Sequence, residues 1–153
     1  MKKELMLVAA GLVLAVNGVS QVHAQAKPED LVKQRKAGMT MIGKYFGPIG
    51  AMVQGKMPYD ANVVARNAGY LDVLSKLPWD GFHASTDGAQ DTRAKPEIYR
   101  QTDKFNQARD AMQTEMAKLV AAAKSGDQDA VKSTFGATGK ACKACHDDYR
   151  KEK

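Results

Sequence analysis

Two cysteines and a histidine stand together near the C-terminus, in the sequence Cys142-Lys143-Ala144-Cys145-His146. In a Cys-x-x-Cys-His motif, each thiol can add to a vinyl group of a haem, and the adjacent imidazole can bind the iron. On a helix, with about 100° of rotation per residue, these three side chains fall within one narrow arc. The spacing therefore predicts a helical turn that holds a haem through Cys142 and Cys145 and ligates its iron through His146.

The same two cysteines can also be interpreted as a disulfide, a redox pair or part of a zinc site. They are the only cysteines in the sequence, and the other histidines are His23 and His83. A structural zinc site needs four ligands, usually supplied by two such pairs, and no second pair is present. A redox Cys-x-x-Cys usually opens a helix after a strand, and no strand-like run precedes Cys142. Haem attachment is the favoured interpretation, and a plain disulfide stays open.

The first 24 residues have the pattern of a secretory signal peptide. A lysine pair precedes a short apolar run, and a more polar stretch ends at Ala24 with small residues around the cleavage position. The apolar run is shorter than the ~20 residues of a spanning helix, which disfavours an uncleaved anchor. We predict residues 1–24 as the signal, residues 25–153 as one domain, and the bacterial periplasm as its location, where haem attachment to Cys-x-x-Cys-His also takes place.

Charge and composition narrow the class of partner. The full sequence has a formal net charge of +6, but its lysines are scattered rather than clustered. An exported chain of this kind is expected to present a basic surface to acidic protein partners, and we predict no nucleic-acid partner. No stretch after the signal is apolar enough to span a membrane. No paired carboxylates or nucleophile–base pair stand out, so we predict that the protein is not an enzyme.

Four segments have apolar residues at the three- and four-residue steps of amphipathic helices. The first segment opens after Lys27 with a proline and acidic residues. Asp60 is placed to cap the second segment and Asp127 to cap the fourth. Gly126 is placed to end the third. The predicted inward positions of the second segment are Val63, Tyr70, Leu74 and Leu77, with Val64 and Leu71 beside them. Those of the third, which begins at Lys95, are Ile98, Phe105, Met112 and Leu119, with Met116 and Ala123 between them. Those of the fourth, from about 128 to 150, are Val131, Phe135, Thr138, Cys142, Cys145 and Tyr149. Short connections favour antiparallel neighbours, so the sequence predicts an all-α fold, an antiparallel four-helix bundle that encloses the haem.

Arg35 interrupts the apolar seam of the first segment. A charge that faces a core is unfavourable unless it is paired, and a haem propionate would pair it. The other interpretation is a side chain that extends outward to solvent. Between the second and third segments, residues 79–95 form the one long aperiodic loop, which is placed to fold over a haem edge. His83 in this loop is expected to face solvent.

The sequence resembles the bacterial cytochromes c′ over the whole chain after the signal. The resemblance rests on residues 142–150, on Leu77-Pro78-Trp79 before the loop, on residues 94–98 after it, and on the opening residues 27–30 together with Arg35. The C-terminal position of the haem motif separates this family from small cytochromes c, which carry the motif near the N-terminus. The resemblance implies a bundle with one covalently bound haem c.

The resemblance also implies roles for individual residues. His146 would be the proximal ligand of the iron, and Arg150 would lie beside its imidazole. Arg35 and its neighbour Lys36 would lie near the haem propionates, and Thr92 would contact the haem from the loop. Met39 would cover the distal face of the iron. Lys36 stands where the family usually has glutamine. Members of the family usually have a five-coordinate, high-spin iron that binds nitric oxide and carbon monoxide, and they usually form homodimers through the first two helices.

Two alternatives remain beside this interpretation. In the first, Met39 is a true sixth ligand, as in the related low-spin cytochromes c-556, and the protein is an electron carrier with a possible redox partner protein. In the second, the chain is a haem-free exported bundle that binds a partner through its surface. The family resemblance and the broad apolar stripe of the first segment, which includes Met41 and Ile49, together favour a homodimer. The other interpretation of the stripe is a monomer with a broad core.

Overall fold

The computed structural model describes residues 26–152. It contains four long helices and one single-turn helix: α1 (Pro28–Val53), α2 (Ala61–Leu74), the short α3 (Glu97–Arg100), α4 (Thr102–Ser125) and α5 (Gln128–Tyr149). Within residues 26–152 the one β-type pairing is an isolated antiparallel bridge between Ala94 and Arg150. The predicted all-α, antiparallel four-helix bundle is confirmed. The predicted signal peptide lies outside the described residues.

The helices begin and end largely where the sequence predicts. Asp60 caps α2, and its carboxylate accepts hydrogen bonds from the backbone amides of residues 62 and 63. Asp127 caps α5 in the same way through the amides of residues 129 and 130. Gly126 ends α4 in the left-handed conformation, with φ of 75°, which a side chain would disfavour. No helix within the described residues is both long and apolar enough to cross a membrane.

Two hydrophobic clusters hold the bundle together. The larger cluster joins all four long helices around Ile49, Leu71 and Leu119. The smaller one joins Ile98, Phe105 and Tyr149, with Trp79 and Phe82 packed against it. Because the smaller cluster includes the last turn of α5, it lies next to the segment that carries the predicted haem motif.

The predicted inward face of α2 is partly wrong. Tyr70 and Leu77 are 46% and 50% exposed, whereas Val64 and Leu71, predicted beside them, are buried together with Ala68. The smaller side chains allow α2 to approach its neighbours closely. Tyr70 instead packs its ring against Tyr45 of α1, with ring centroids 4.9 Å apart.

The third predicted helix is divided in the structure. The backbone leaves the helical region at Gln101, with φ of −124° and ψ of 44°, so α3 ends before α4 begins. Ile98 and Phe105 nevertheless remain in the same small cluster, as the seven-residue spacing predicts. The break separates the loop-bearing end of the segment from the long bundle helix.

Helices α1 and α5 have the least extensive contact of the four adjacent pairs in the bundle. They meet where Gly50 and Phe46 lie against Phe135. The rings of Phe46 and Phe135 stack with centroids 4.2 Å apart, and a Cβ on Gly50 would lie 2.6 Å from the Phe135 ring. Since these residues lie near the end of α1 and the start of α5, the other ends of both helices are free to flank a site.

Candidate haem-binding site

The two cysteines lie on the inward side of α5, and both thiols are free. Cys142 packs against the larger hydrophobic cluster and Cys145 against the cluster of Ile98, Phe105 and Tyr149. His146 is the next residue, and its side chain is more exposed than those of the cysteines. The helix therefore brings the predicted trio to one turn, as the spacing requires, and no disulfide joins the cysteines.

The local environment keeps all three groups neutral. Burial raises the pKa of Cys142. The pKa of Cys145 is raised to about 11, first by burial and then by repulsion from the thiolate that Cys142 would become on ionising and from the Asp148 carboxylate. The pKa of His146 is lowered, chiefly by partial desolvation and then by the nearby positive charge of Arg150, while Asp147 acts in the opposite direction. A neutral imidazole is the form that binds a metal.

Arg35 is buried, with 3% of its surface exposed, as its place on the seam of α1 predicts. Its Nη1 donates to the carbonyl oxygen of Gly81 at 2.9 Å and to the hydroxyls of Thr86 and Tyr99, each at 3.0 Å. Its Nη2 donates to the hydroxyl of Thr92 at 2.7 Å. The guanidinium carbon also lies 4.7 Å from the centroid of the Phe82 ring.

Every one of these partners of Arg35 is neutral. None of the ion pairs formed within residues 26–152 involves Arg35. A buried guanidinium without a counter-ion is unfavourable, so the site calls for an anion that the described chain does not supply. The two carboxylates of a haem meet that need, and the free thiols of α5 meet the need for covalent attachment. The residues present therefore fit a c-type haem.

Lys36 and Thr92 meet at the loop. Nζ of Lys36 lies 2.6 Å from Oδ2 of Asp91 and 3.2 Å from its carbonyl oxygen, and Thr92 follows directly with its bond to Arg35. The structure thus brings Arg35, Lys36 and Thr92 together. The hydrogen bond from Lys36 also lowers the pKa of Asp91.

Met39 lies outside this hydrogen-bonded network, half-buried on α1 one turn after Arg35. It is eleven residues before Gly50, and His146 is eleven residues after Phe135. Because Gly50 contacts Phe135 and the two helices are antiparallel, an equal rise per residue brings Met39 and His146 to about the same height in the bundle. This arrangement is expected of residues on opposite sides of one flat ligand.

Several residues of the site were not found from the sequence. Tyr99, Thr86 and Gly81 bind Arg35 although they are far from it along the chain, and their residue types are common in any loop or helix start. The one indication in the sequence is the length and aperiodic composition of the loop, because an ordered loop of this length needs side-chain contacts with the rest of the fold. His83 is exposed, as predicted, and its Nδ1 accepts a hydrogen bond from the amide of Ser85.

A haem-attachment motif at the end of a four-helix bundle defines a bundle-type cytochrome. Comparison with known proteins leads to the same class. Residues 30–150 match the family model described as Cytochrome C′. Cytochrome c′ of Alcaligenes xylosoxydans xylosoxydans is 44% identical over 128 residues, covering 84% of this chain and 98% of that protein. The crystal structure of cytochrome c′ from Rubrivivax gelatinosus has a TM-score of 0.79 at 41% identity, covering 82% of this chain and 98% of that one.

A second solved structure is a nitric oxide complex of a mutant cytochrome c prime from Alcaligenes xylosoxidans. Its TM-score is 0.79 at 43% identity, and the match covers 84% of this chain and 99% of that one. The chain therefore belongs to the cytochrome c′ family. It is a haem c protein, and its two cysteines are consistent with covalent attachment of the haem.

Proposed function

We propose that this chain is a periplasmic haem protein that binds small uncharged gases, with His146 as the only protein ligand of the iron. The observation that carries the haem is the buried Arg35, which has no counter-ion among residues 26–152, together with the free thiols of Cys142 and Cys145. Gas binding is favoured over a closed iron by the nitric oxide complex of the Alcaligenes relative. When bound, the haem supplies an iron that changes reversibly between the ferric and ferrous states and has one axial position for a diatomic ligand.

Several residues of the chain would bind the haem, each in a different way. Cys142 and Cys145 form the thioethers, His146 holds the iron, and Arg35 neutralises a propionate. Lys36 and Thr92 fix the loop beside Arg35 rather than approaching the iron. Met39 covers the distal face with an apolar side chain, which excludes anions and offers no hydrogen-bond donor. The nitric oxide complex of the Alcaligenes protein supports this assignment, because that protein shares the fold at 43% identity.

The same iron also permits electron transfer with a partner protein, and we assign no catalysed reaction to the site. If the sulfur of Met39 binds the iron, the protein is instead a low-spin electron carrier of the cytochrome c-556 type. The equal height of Met39 and His146 is compatible with both functions. The spin state of the iron separates them, because a closed sixth position makes the haem low-spin and slows the uptake of external ligands.

The chain also has a surface suited to a second copy of itself. Tyr70 and Val73 are exposed on α2, Leu77 is exposed just after its end, and Met41 is exposed on neighbouring α1. These residues form an apolar patch on the first two helices, which we call the α1–α2 patch, and a homodimer would cover it. Ile49, which the sequence analysis also placed on this surface, is fully buried in the core and is not part of the patch.

Absorption spectroscopy of the protein purified from a periplasmic extract tests the proposed function. We expect one haem that acidified acetone does not extract, a high-spin spectrum in the reduced protein, and a clear spectral change with carbon monoxide. A low-spin reduced spectrum that carbon monoxide leaves unchanged would replace gas binding by electron transfer. Extractable haem would contradict covalent attachment through the cysteines.

A further inference from the structure

Residues 91–95, which we call the strap, are the last part of the long loop and contact two helices. On the α1 side, Asp91 accepts from Nζ of Lys36 at 2.6 Å, and Thr92 accepts from Nη2 of Arg35 at 2.7 Å. Two consecutive residues of α1 thus hold two consecutive residues of the strap. The strap also begins with the one non-glycine residue of the described chain that has a positive φ, because Asp91 has φ of 54°.

On the α5 side, the strap binds the end of the helix. Nζ of Lys95 donates to the carbonyl oxygens of Asp147 at 2.8 Å and Asp148 at 3.0 Å. The guanidinium of Arg93 donates to the carbonyl oxygen of Lys151 through Nε at 2.9 Å and Nη2 at 2.6 Å. The last carbonyls of a helix have no intrahelical partner, so Lys95 satisfies groups of α5 that would otherwise face water, and Arg93 binds the chain just after the helix.

Backbone hydrogen bonds reinforce the same contact. The amide of Lys95 donates to the carbonyl oxygen of Tyr149 at 2.9 Å, and the amide of Lys151 donates to that of Arg93 at 2.7 Å. Ala94 forms the antiparallel bridge with Arg150, whose own amide donates to the carbonyl oxygen of His146 at 3.0 Å. The strap is therefore joined to the residue that closes the helical turn on His146.

The strap also complements the limited contact between α1 and α5. These helices touch at Gly50 and Phe135, far along the chain from Arg35 and His146. At the opposite end, the strap provides a hydrogen-bonded connection from one helix to the other. A change at either end of the strap is therefore able to alter the position of the last turn of α5 relative to α1.

We propose that the strap positions His146 relative to α1, and that Lys95 is the positioning residue on the α5 side. The proposal rests on the proposed role of His146 as the iron ligand and goes beyond it, because none of residues 91–95 contacts the imidazole by a hydrogen bond. Lys95 acts through the carbonyl groups of the turn that carries His146. Asp91 and Thr92 act through their attachment to α1.

The first experiment replaces Lys95 by methionine in the haem-bound protein. Methionine keeps most of the side-chain length but removes the three ammonium donors. We expect the amides of residues 149–151 to exchange with deuterium roughly 5- to 30-fold faster, since hydrogen bonds from a charged group are lost. We also expect a resolved shift of the iron–histidine stretching band in the resonance Raman spectrum of the reduced protein. Lys132→Met is the matched control, because Lys132 is exposed near the start of α5, far from the strap, and none of the side-chain hydrogen bonds within residues 26–152 involves it.

The second experiment changes the α1 end of the strap, away from His146. Asp91→Asn removes the anion that binds Lys36, and asparagine tolerates the left-handed conformation well. Thr92→Val removes the hydroxyl that binds Arg35 at nearly constant volume. If the strap transmits position, both variants shift the iron–histidine band in the same direction as Lys95→Met, with the haem still covalently bound.

The outcomes separate the strap from the proposed ligation. A band that is present in the wild type and unmoved in all three variants would overturn the strap proposal and leave His146 as the ligand. Faster amide exchange in Lys95→Met with an unmoved band would give Lys95 a capping role only, which also overturns the proposal. The absence of an iron–histidine band in the reduced wild type would overturn the proposed five-coordinate iron itself, and the strap proposal with it.

Discussion

The hydroxyl of Thr92 accepts a 2.7 Å hydrogen bond from the guanidinium of Arg35, although the two residues are 57 positions apart. The same guanidinium binds Gly81 and Thr86, so one buried side chain holds the long loop at three separate points. The planar fork of arginine can bind several acceptors at once. Arg35 therefore orders the loop in addition to supplying the buried positive charge that a propionate would neutralise.

Replacement of Arg35 by lysine keeps the charge but removes the fork. Lysine cannot reach acceptors on both sides of the site, so buried oxygens lose their donors, and we expect a loss of about 2 kcal/mol in the free energy of unfolding. Urea unfolding of the haem-bound protein, followed by circular dichroism, measures the change. Lys33→Arg is the control, since Lys33 is exposed on the same helix and pairs only with exposed Asp30. A loss below about 0.5 kcal/mol in Arg35→Lys would mean that the loop does not depend on the fork.

Gly81 allows the turn after α2 to approach α1. A Cβ at this position would lie 2.7 Å from Cβ of Arg35 and 2.7 Å from the carbonyl oxygen of Leu31. Because the second contact is with backbone, no side-chain rotation relieves it. We expect Gly81→Ala to lower the free energy of unfolding by about 1–3 kcal/mol, measured by urea unfolding.

Gly43 provides the matched control for this prediction. It lies in α1, and a Cβ there would meet no atom within 4 Å. Gly43→Ala should raise the free energy of unfolding by ~0.5–1 kcal/mol, because alanine restricts the unfolded chain more than glycine does. Equal effects of the two substitutions would show that crowding at Gly81 is unimportant.

Features that depend on neighbouring residues can be predicted from this sequence, whereas contacts between residues far apart in the chain cannot. Helix caps and the Cys-x-x-Cys-His spacing depend on residues close together in the chain, so the sequence correctly predicts Asp60 and Asp127 as caps and residues 142–146 as part of one helix. The burial of Arg35 followed from its place on an apolar seam. Its partners did not follow, because Thr86 and Tyr99 meet it only after the loop has folded back on α1.

The face of α2 shows a further limit of periodicity. Val63 and Tyr70 form as regular a seven-residue step as Val64 and Leu71, so the pattern alone does not select the buried pair. The packing of α2 against both α1 and α4 buries Val64 and Leu71. This pair has no hydroxyl group and allows α2 to lie closer to both helices. That choice also determines which apolar residues remain on the surface for a partner.

Val73 tests the predicted homodimer, because 59% of its surface is exposed at the α1–α2 patch. Val73→Asp would place a carboxylate inside the proposed interface, where burial of an unpaired charge is strongly unfavourable. We expect the dissociation constant of the dimer to rise at least roughly 100-fold, as measured by sedimentation over a range of concentrations. Ser133→Asp adds the same charge on exposed α5 and should leave the dimer unchanged. A wild type that sediments as a monomer at micromolar concentration would contradict the dimer.

Substitution of Met39 distinguishes gas binding from electron transfer by a low-spin iron. Its sulfur either binds the iron or only covers it, and its height opposite His146 permits both. We expect covering, so the reduced wild type should be high-spin and Met39→Ala should stay high-spin. Carbon monoxide should then bind roughly 2- to 10-fold faster in the variant, because the side chain no longer has to move out of a favoured rotamer. Flash photolysis and stopped-flow mixing measure these rates.

Met57→Ala is the control for this last experiment, since Met57 is an exposed methionine in the turn between α1 and α2. It should leave both the spin state and the carbon monoxide rate unchanged. A thioether ligand would give the opposite pattern from a covering side chain, because its removal opens a closed coordination position. If the reduced wild type is low-spin and Met39→Ala alone makes it high-spin, the sulfur of Met39 is a ligand. Electron transfer then replaces gas binding as the function of the site, while attachment through Cys142 and Cys145 is unaffected.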